Sequence, residues 1–218
     1  MIVQCGAKRS GNFLLWRTIH LLLGRETSYA AFYAASNRLV EPIGFTHELP
    51  HTVPCGIYVV RDGRDAVASL LHFVVTPEYR ARHVDCLRTD ARELLALPGF
   101  LERRIQHWRE HVRSYLADRR PWHLVRYEEL AGECKTEVVR ALADHLAVEL
   151  TSVKLRSILE ATTVEACRSA APGHVHTGKS GDYGELLREE QLARFDELAG
   201  EELAAMGYVR AAASSSSS

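Results

Sequence analysis

The chain has 218 residues, a formal net charge of −1 at pH 7 and a hydrophobic content of 46%. This length suits one domain with a substantial core, and the near-neutral charge argues against a general binder of nucleic acids or anionic membranes. The apolar stretch 13–23 is interrupted by Arg17 and His20, so we expect neither a membrane span nor a signal peptide. Five scattered cysteines without a C-x-x-C pair indicate reduced thiols and a cytoplasmic protein.

The N-terminal segment has the pattern of a strand, a turn and a helix. Residues 1–5 predict a short buried strand, and apolar residues at helical spacing over about 11–23 predict a helix. The polar turn between them is bounded by Gly6 and Gly11. Because the N–H groups of such a turn and the helix dipole both favour negative charge, this segment is a candidate anion site.

The two glycines have the spacing of the nucleotide P-loop, but two of its chemical groups are missing. Asn12 stands at the position of the phosphate-binding lysine, and Phe13 at that of the magnesium-binding hydroxyl. The cations Lys8 and Arg9 lie inside the loop instead. We therefore expect a phosphate cradle that does not handle a magnesium-bound triphosphate; the alternative is an ordinary basic strand–helix turn.

The rest of the chain alternates between extended and helical patterns. Near-continuous apolar runs over 56–61 and 122–127 predict two further strands, of the kind buried in parallel sheets. Apolar residues at helical spacing predict helices over 29–39, 64–73, 85–97, 100–116, 135–146, 153–161 and 189–206. This alternation indicates a three-layer, P-loop-like α/β fold with a central parallel sheet flanked by helices.

Four segments fall outside these elements. Residues 42–46 are a short apolar run that ends before two prolines, 76–98 have the composition of an insertion, and 173–184 form a glycine-rich loop. Residues 211–218 are a low-complexity tail, which we expect to be disordered. We thus expect a single domain over residues 1–210.

A second candidate anion site follows the predicted strand 56–61. Arg61 lies at its carboxyl end and Ser69 eight residues later on the next helix. Ligands collect at the carboxyl ends of parallel strands, and a guanidinium beside a hydroxyl could hold a second phosphate there. The alternative is a solvated charge cluster of Arg61, Asp62, Arg64 and Asp65.

One competing motif points to a metal. His107, Glu110 and His111 match the H-x-x-E-H pattern of zinc proteases. The same helix carries apolar residues at core spacing, and no convincing third ligand can be identified. The core-spaced residues are Leu101, Ile105, Trp108, Val112 and Leu116. We therefore expect a structural helix and no metal.

Five segments, taken together, resemble the PAPS-dependent sulfotransferases, which use 3′-phosphoadenosine 5′-phosphosulfate (PAPS). In chain order they are KRSGN (8–12), FTHELP (45–50), YVVRDGRDAVASLLHF (58–73), VRYEEL (125–130) and TGKSGDYGELL (177–187). The resemblance spans residues 1 to about 207. It implies transfer of the sulfuryl group of PAPS to an acceptor hydroxyl, or to an amine, with release of 3′-phosphoadenosine 5′-phosphate (PAP) and without a metal.

The resemblance also implies roles for individual residues. His47 would be the general base, and Arg9 would contact the bridging and 5′-phosphate oxygens. Arg61 and Ser69 would hold the 3′-phosphate, and Tyr127 would approach the adenine. Ser10, Gly11 and Asn12 would contact the 5′-phosphate, Thr163 the ribose or phosphate region, and Gly178 the 3′-phosphate. Lys8, Phe13, Thr177 and Lys179 complete the implied cosubstrate site.

Several positions depart from the family pattern. Phe45 replaces the lysine before the T-H pair, so one cation at the transferring group is missing. Leu14 and Val164 stand where aromatic residues usually hold the adenine, which implies less stacking. His176 and Thr177 replace an Arg-Lys pair, which implies a weaker or pH-dependent 3′-phosphate clamp.

Two other functions stay open at this point. A P-loop kinase that acts on a small molecule is one, although Asn12 and Phe13 argue against it. A catalytically inactive PAP-binding paralogue is the other, because cations are lost at Phe45 and at 176–177.

The acceptor is almost unreadable from the sequence. Because the chain begins on its first strand, we expect an open pocket that favours a larger acceptor, with residues 74–98 as its lid. An Ala- and Arg-rich composition suggests a bacterial enzyme of natural-product biosynthesis. We expect no nucleic-acid partner and no membrane span, and no pattern encodes the oligomeric state.

Overall fold

The computed structural model describes residues 1–39, 43–81, 83 and 88–208. In this part of the chain the strands are β1 (Ile2–Cys5), β2 (Ile43–Thr46), β3 (Ile57–Val60) and β4 (His123–Arg126). They form one parallel sheet in the order β2-β1-β3-β4. The predicted tail 211–218 lies outside the described residues.

Helices connect and cover the strands. They are α1 (Asn12–Leu22), α2 (Tyr29–Ala35), α3 (Gly63–Val74), α4 (Pro77–Arg80), α5 (Ala91–Leu95), α6 (Phe100–Ala117), α7 (Tyr127–Ala131), α8 (Lys135–His145), α9 (Ser152–Ala161), α10 (Val164–Ala170), α11 (Tyr183–Leu186) and α12 (Glu189–Ala205). A 3₁₀ turn covers Pro50–Thr52. None of these helices combines the length and the apolar character that crossing a bilayer requires.

The sheet is buried on both faces. Tyr58 and Val60 pack with α3, α5, α6 and α12, whereas Ile57 and Val59 pack with α1, α8, α9 and α10. Because successive strand residues point to opposite faces, a strand covered on both sides must be apolar throughout. The predicted three-layer α/β fold with a parallel sheet is therefore confirmed.

Two N-terminal elements differ from the prediction. The run 42–46 contains a true strand, β2, which is held at the sheet edge by four registered residues opposite β1. The helix predicted over 29–39 ends at Ala35 instead, because the chain turns there and Arg38 exchanges backbone hydrogen bonds with Phe45 of β2.

The predictions for the middle and C-terminal parts also need correction. The helix predicted over 85–97 covers only α5, which begins after Asp90 because this side chain accepts the N–H of Arg92; residues 84–87 lie outside the described part. Leu116, assigned to the core face of α6, is 42% exposed. The short helices α4, α7, α10 and α11 were not predicted, and α11 begins inside the predicted loop 173–184.

Candidate active site

A cavity of about 360 Å³ lies beyond the carboxyl ends of β1, β2 and β3. Its walls come from the loop after β1, from α1, α2 and α3, and from the glycine-rich loop 173–184. Parallel strands bring these segments to one edge of the sheet, where ligands of α/β proteins bind. The two anion sites predicted from the sequence therefore open into one space.

The loop after β1 is held in an unusual backbone conformation. Arg9 has φ +67° and Gly11 φ +95°. A Cβ at Gly11 would lie 2.4 Å from the ring of Tyr127, so only glycine fits. The amide of Asn12 donates to the carbonyl of Ala7 at 2.8 Å and so closes the loop from within. Asn12, at the lysine position of a nucleotide P-loop, thus also shapes the loop.

Arg9 points into the cavity and is already well bound by the chain. Its Nε donates to Ser69 Oγ at 3.2 Å, its Nη1 lies 3.1 Å from Nδ1 of His174, and its Nη2 donates to the carbonyl of His174. The guanidinium also lies over the ring of Phe73, 4.5 Å from its centroid. Burial, together with the nearby Arg61, lowers the pKa of Arg9 to about 10, so the group stays charged at neutral pH.

His174 was not predicted as a site residue. Its ring lies among Phe13, Tyr29, Phe32 and Phe73, with centroid separations of 5.0 to 5.8 Å. Nδ1 also lies 3.0 Å from the hydroxyl of Tyr29. Burial and then the charge of Arg9 hold the pKa of His174 well below its usual value, so it is neutral. No sequence pattern in the glycine-rich loop predicts the contacts of His174 with Arg9 and Tyr29.

Arg61 lies directly beyond β3 and is 6% exposed. Its Nη2 donates to the carbonyl of Lys179 at 2.8 Å, and its guanidinium lies 4.3 Å from the ring centroid of Tyr127. The buried Nε has no hydrogen-bond partner among the described residues. A buried cation with an unused donor is a strong candidate for an anion ligand.

The charges after β3 do not form the solvated cluster considered as an alternative. Asp62, Arg64 and Asp65 are all buried, and Arg64 forms an ion pair with Asp62 at 2.6 Å. Asp65 accepts the backbone N–H groups of Gly181 at 2.7 Å and Tyr183 at 3.1 Å. Helix α3 thereby anchors the glycine-rich loop over the cavity, a role that the sequence did not reveal.

His47 follows β2 and borders the same cavity. Its Nδ1 lies 2.8 Å from the carbonyl of Gly6, so Nδ1 carries the hydrogen and Nε2 carries the lone pair. Its backbone N–H donates to Oδ1 of Asn37 at 3.0 Å. Burial lowers the pKa of His47 to about 4, against the opposing effect of the Gly6 hydrogen bond. The imidazole is therefore neutral near pH 7.

The structure brings together most of the residues implied for the site. The predicted residues that line the cavity are Lys8, Arg9, Gly11, Asn12, Phe13, His47, Arg61, Ser69, Tyr127, Thr177 and Gly178. The hydroxyl of Ser10 is buried beside the loop with no hydrogen-bond partner among the described residues, and Lys179 contributes its carbonyl to Arg61. Thr163 differs, because it is exposed and caps α10 by accepting the N–H of Ala166, while Thr162 lines the cavity.

The departures from the family pattern have visible structural roles. Phe45 is fully buried in β2 and stacks on Phe32, 4.9 Å between centroids, so an apolar wall replaces the missing cation. His176 stacks on His72 of α3 with centroids 4.0 Å apart, and both line the cavity.

The zinc-protease pattern on α6 is structural. His111 is fully buried, and its Nδ1 lies 3.0 Å from the hydroxyl of Tyr58, whereas His107 is exposed. Among the described residues, no group of three His, Cys, Asp or Glu side chains could hold a metal ion. The spacing of the motif thus reflects a helix with one buried and one exposed face.

Comparisons with known proteins bear on this site. The family model described as the sulfotransferase domain matches residues 46–207. The solved structure of mouse sulfotransferase SULT7A1 complexed with PAP superposes with a TM-score of 0.70 at 19% identity, covering 93% of this chain and 83% of that one. Retinol dehydratase with androsterone and PAP, and with retinol and PAP, gives TM-scores of 0.62 and 0.61 at 14% identity, covering 93% of this chain and 80% of theirs.

No significantly similar sequence is found among curated proteins. The low identities to the solved structures establish the fold, and the family model covers well over half of the chain. The chain therefore belongs to the sulfotransferase family, the PAPS-dependent family that its motifs resemble.

Proposed function

We propose that this protein transfers the sulfuryl group of PAPS to a hydroxyl of a small-molecule acceptor and releases PAP. The observation that carries the proposal is the convergence of Arg9, Arg61 and Ser69 on one cavity, with His47 on its border. PAP carries two separate phosphates, and two buried guanidiniums from different strand ends suit two separate anions.

His47 supports the reaction as the base. Since Nδ1 donates to Gly6, Nε2 faces an incoming hydroxyl as an acceptor. In the proposed step the acceptor oxygen forms the new O–S bond, its proton passes to Nε2, and the bond between sulfur and the bridging oxygen breaks. A neutral imidazole needs no prior deprotonation for this task, and general-base help contributes ~10²–10⁴-fold in rate.

Arg9 and the loop amides support the departure of PAP. The leaving 5′-phosphate gains charge in a loose, in-line transition state, so positioned cations and N–H groups lower the barrier. Arg9 stays charged despite burial. In this proposal Arg61 and Ser69 hold the 3′-phosphate, which distinguishes PAP from AMP.

The proposed acceptor rests on the apolar part of the cavity wall, which includes Phe73 against Arg9. The retinol dehydratase structures contain androsterone or retinol beside PAP, which supports a small acceptor for this chain as well. Phe13, Phe32 and Phe73 supply an aromatic wall, and Tyr79 and His83, from the segment predicted as a lid, also border the cavity. A role in natural-product biosynthesis and a cytoplasmic location stay proposals that rest on composition and on the unpaired thiols of the described cysteines.

The test is calorimetric titration of the purified protein with PAP, AMP and Mg-ATP. We expect PAP to bind much more tightly than the other two ligands, because only PAP engages both arginines. Preference for Mg-ATP would favour a small-molecule kinase. PAP binding without sulfuryl transfer to any acceptor of a broad hydroxyl and amine panel would favour an inactive PAP-binding protein.

A further inference from the structure

Three basic side chains meet at one corner of the cavity, and only Lys8 has a role in the implied cosubstrate site. Lys8 and Arg104 line the main cavity, and both also line a small side cavity together with His107. We name Lys8, Arg104 and His107 the cationic corner; its charge comes from Lys8 and Arg104, because burial and these two cations lower the pKa of His107. Arg104 and His107 come from α6, which the family motifs do not include.

Glu110 acts electrostatically on His107, but Lys8 and Arg104 have no carboxylate partner in the described part of the chain. No ion pair there involves Lys8 or Arg104. The Nε of Arg104 is buried without a hydrogen-bond partner, and its guanidinium rests against the ring of Phe100, 4.9 Å from the centroid. Arg104 is therefore a partly buried cation without a partner among the described residues, which is costly, and a bound anion would remove that cost; Lys8 beside it is exposed.

The position of the cationic corner assigns it to the acceptor side of the cavity. Lys8 and His107 both act electrostatically on His47, the proposed base, and Lys8 and Arg104 both act on His107. Arg61, the residue proposed for the 3′-phosphate, lies instead against the ring of Tyr127. An anion bound at the corner would therefore belong to the molecule whose hydroxyl faces His47.

We propose that the acceptor carries an anionic group, a carboxylate or a phosphoryl group, on an aromatic or apolar body, and that Arg104 with Lys8 binds this group. The phenylalanine wall formed by Phe13, Phe32 and Phe73 receives the apolar body. This inference rests on the proposed function, which supplies the role of His47. It adds a specificity-determining residue, Arg104, that the family motifs do not contain.

The test compares three phenols of nearly the same shape as acceptors of the PAPS sulfuryl group. They are 4-hydroxyphenylacetate, 4-hydroxybenzylphosphonate and the neutral 4-hydroxyphenylacetamide. We expect the better anionic probe to exceed the amide about tenfold or more in kcat/KM, because hydrogen bonds to charged groups are the stronger ones. Which anion is better distinguishes a carboxylate from a phosphoryl group.

Substitutions on α6 test whether Arg104 determines the preference for an anionic acceptor. In Arg104→Gln, the ratio of kcat/KM for the better anionic probe to kcat/KM for the amide should fall to near one. The Kd for PAP should stay as in the wild type. Arg103→Gln is the matched control, because Arg103 is the exposed neighbour on the same helix, and its ratio should equal that of the wild type. Arg104→Glu should turn the preference toward the cationic 4-hydroxyphenethylamine, a reversal that a damaged fold would not produce.

Three results would overturn the inference. One is equal turnover of the anionic and neutral probes, and another is failure of every anionic probe while PAP still binds. The third is an Arg104→Gln variant that binds PAPS less tightly but PAP normally, since Arg104 would then serve the transferring sulfuryl group. Absence of PAP binding to the wild type would instead remove the proposed function itself.

Discussion

Replacing Arg61 with alanine tests the proposed 3′-phosphate contact. The guanidinium is 6% exposed, and truncating one partner of a buried charge pair costs about 3–5 kcal/mol. Ser69, the other residue proposed for the 3′-phosphate, remains in the cavity after the substitution, so the lower end of this range applies. We expect Arg61→Ala to raise the Kd for PAP about 10²-fold and to leave the Kd for AMP nearly unchanged.

The measurement is calorimetric titration of both nucleotides, with Arg17→Ala as control. Arg17 is also partly buried and donates to a backbone carbonyl, that of Ala161, but it does not line the cavity. Since Arg61 also holds the carbonyl of Lys179, thermal unfolding of each variant should be recorded alongside. Equal weakening of PAP and AMP by a folded Arg61→Ala protein would refute the 3′-phosphate role.

Two histidines provide further predictions. His47→Ala should lower kcat by ~10²–10⁴-fold and should leave the Kd for PAP within about twofold of the wild-type value. The control is His51→Ala, which should keep the full rate because His51 does not line the cavity. An undiminished kcat in His47→Ala would mean that another residue is the base. Burial lowers the pKa of His111 to about 3, so its contribution to stability is complete above pH 6.5 and is lost as the pH falls toward 3. Denaturant titrations measure the free energy of unfolding at pH 7 and at pH 5. Between these two values we expect it to fall by about 2 kcal/mol less in His111→Gln than in the wild type. An equal fall in both proteins would contradict this prediction.

The parts of the fold that could be predicted are those with a local signal. The residues of β3 (Ile57–Val60) are all apolar because both sheet faces are covered, and the strand ends where Arg61 begins the site. β2 gave no such signal, because Gly44 and Thr46 interrupt its apolar run and the strand forms by pairing with β1. Its strand character depends on a partner that lies some forty residues away.

The same distinction applies to the site. Arg9, His47 and Arg61 belong to short motifs, and the structure places them around one cavity. His174 meets Arg9 across 165 residues, and Asp65 meets Gly181 across 116 residues. No sequence spacing predicts either contact, because both are formed by tertiary packing. The sequence did not indicate that Arg104 lines the cavity, because a single arginine on an amphipathic helix is usually a solvent-exposed surface residue.

The existing contacts of Arg9 have a thermodynamic consequence. Three of its N–H donors are occupied by Ser69 and His174, so an anion that takes the guanidinium exchanges ligands instead of filling an empty coordination shell. The net affinity is then the difference between two sets of hydrogen bonds, each worth about 1.5–3 kcal/mol when one partner is charged. The displaced imidazole of His174 would be left among the aromatic rings that the acceptor meets, so nucleotide binding would remodel the second substrate's surface. We therefore expect ordered substrate addition, in which the nucleotide binds before the acceptor.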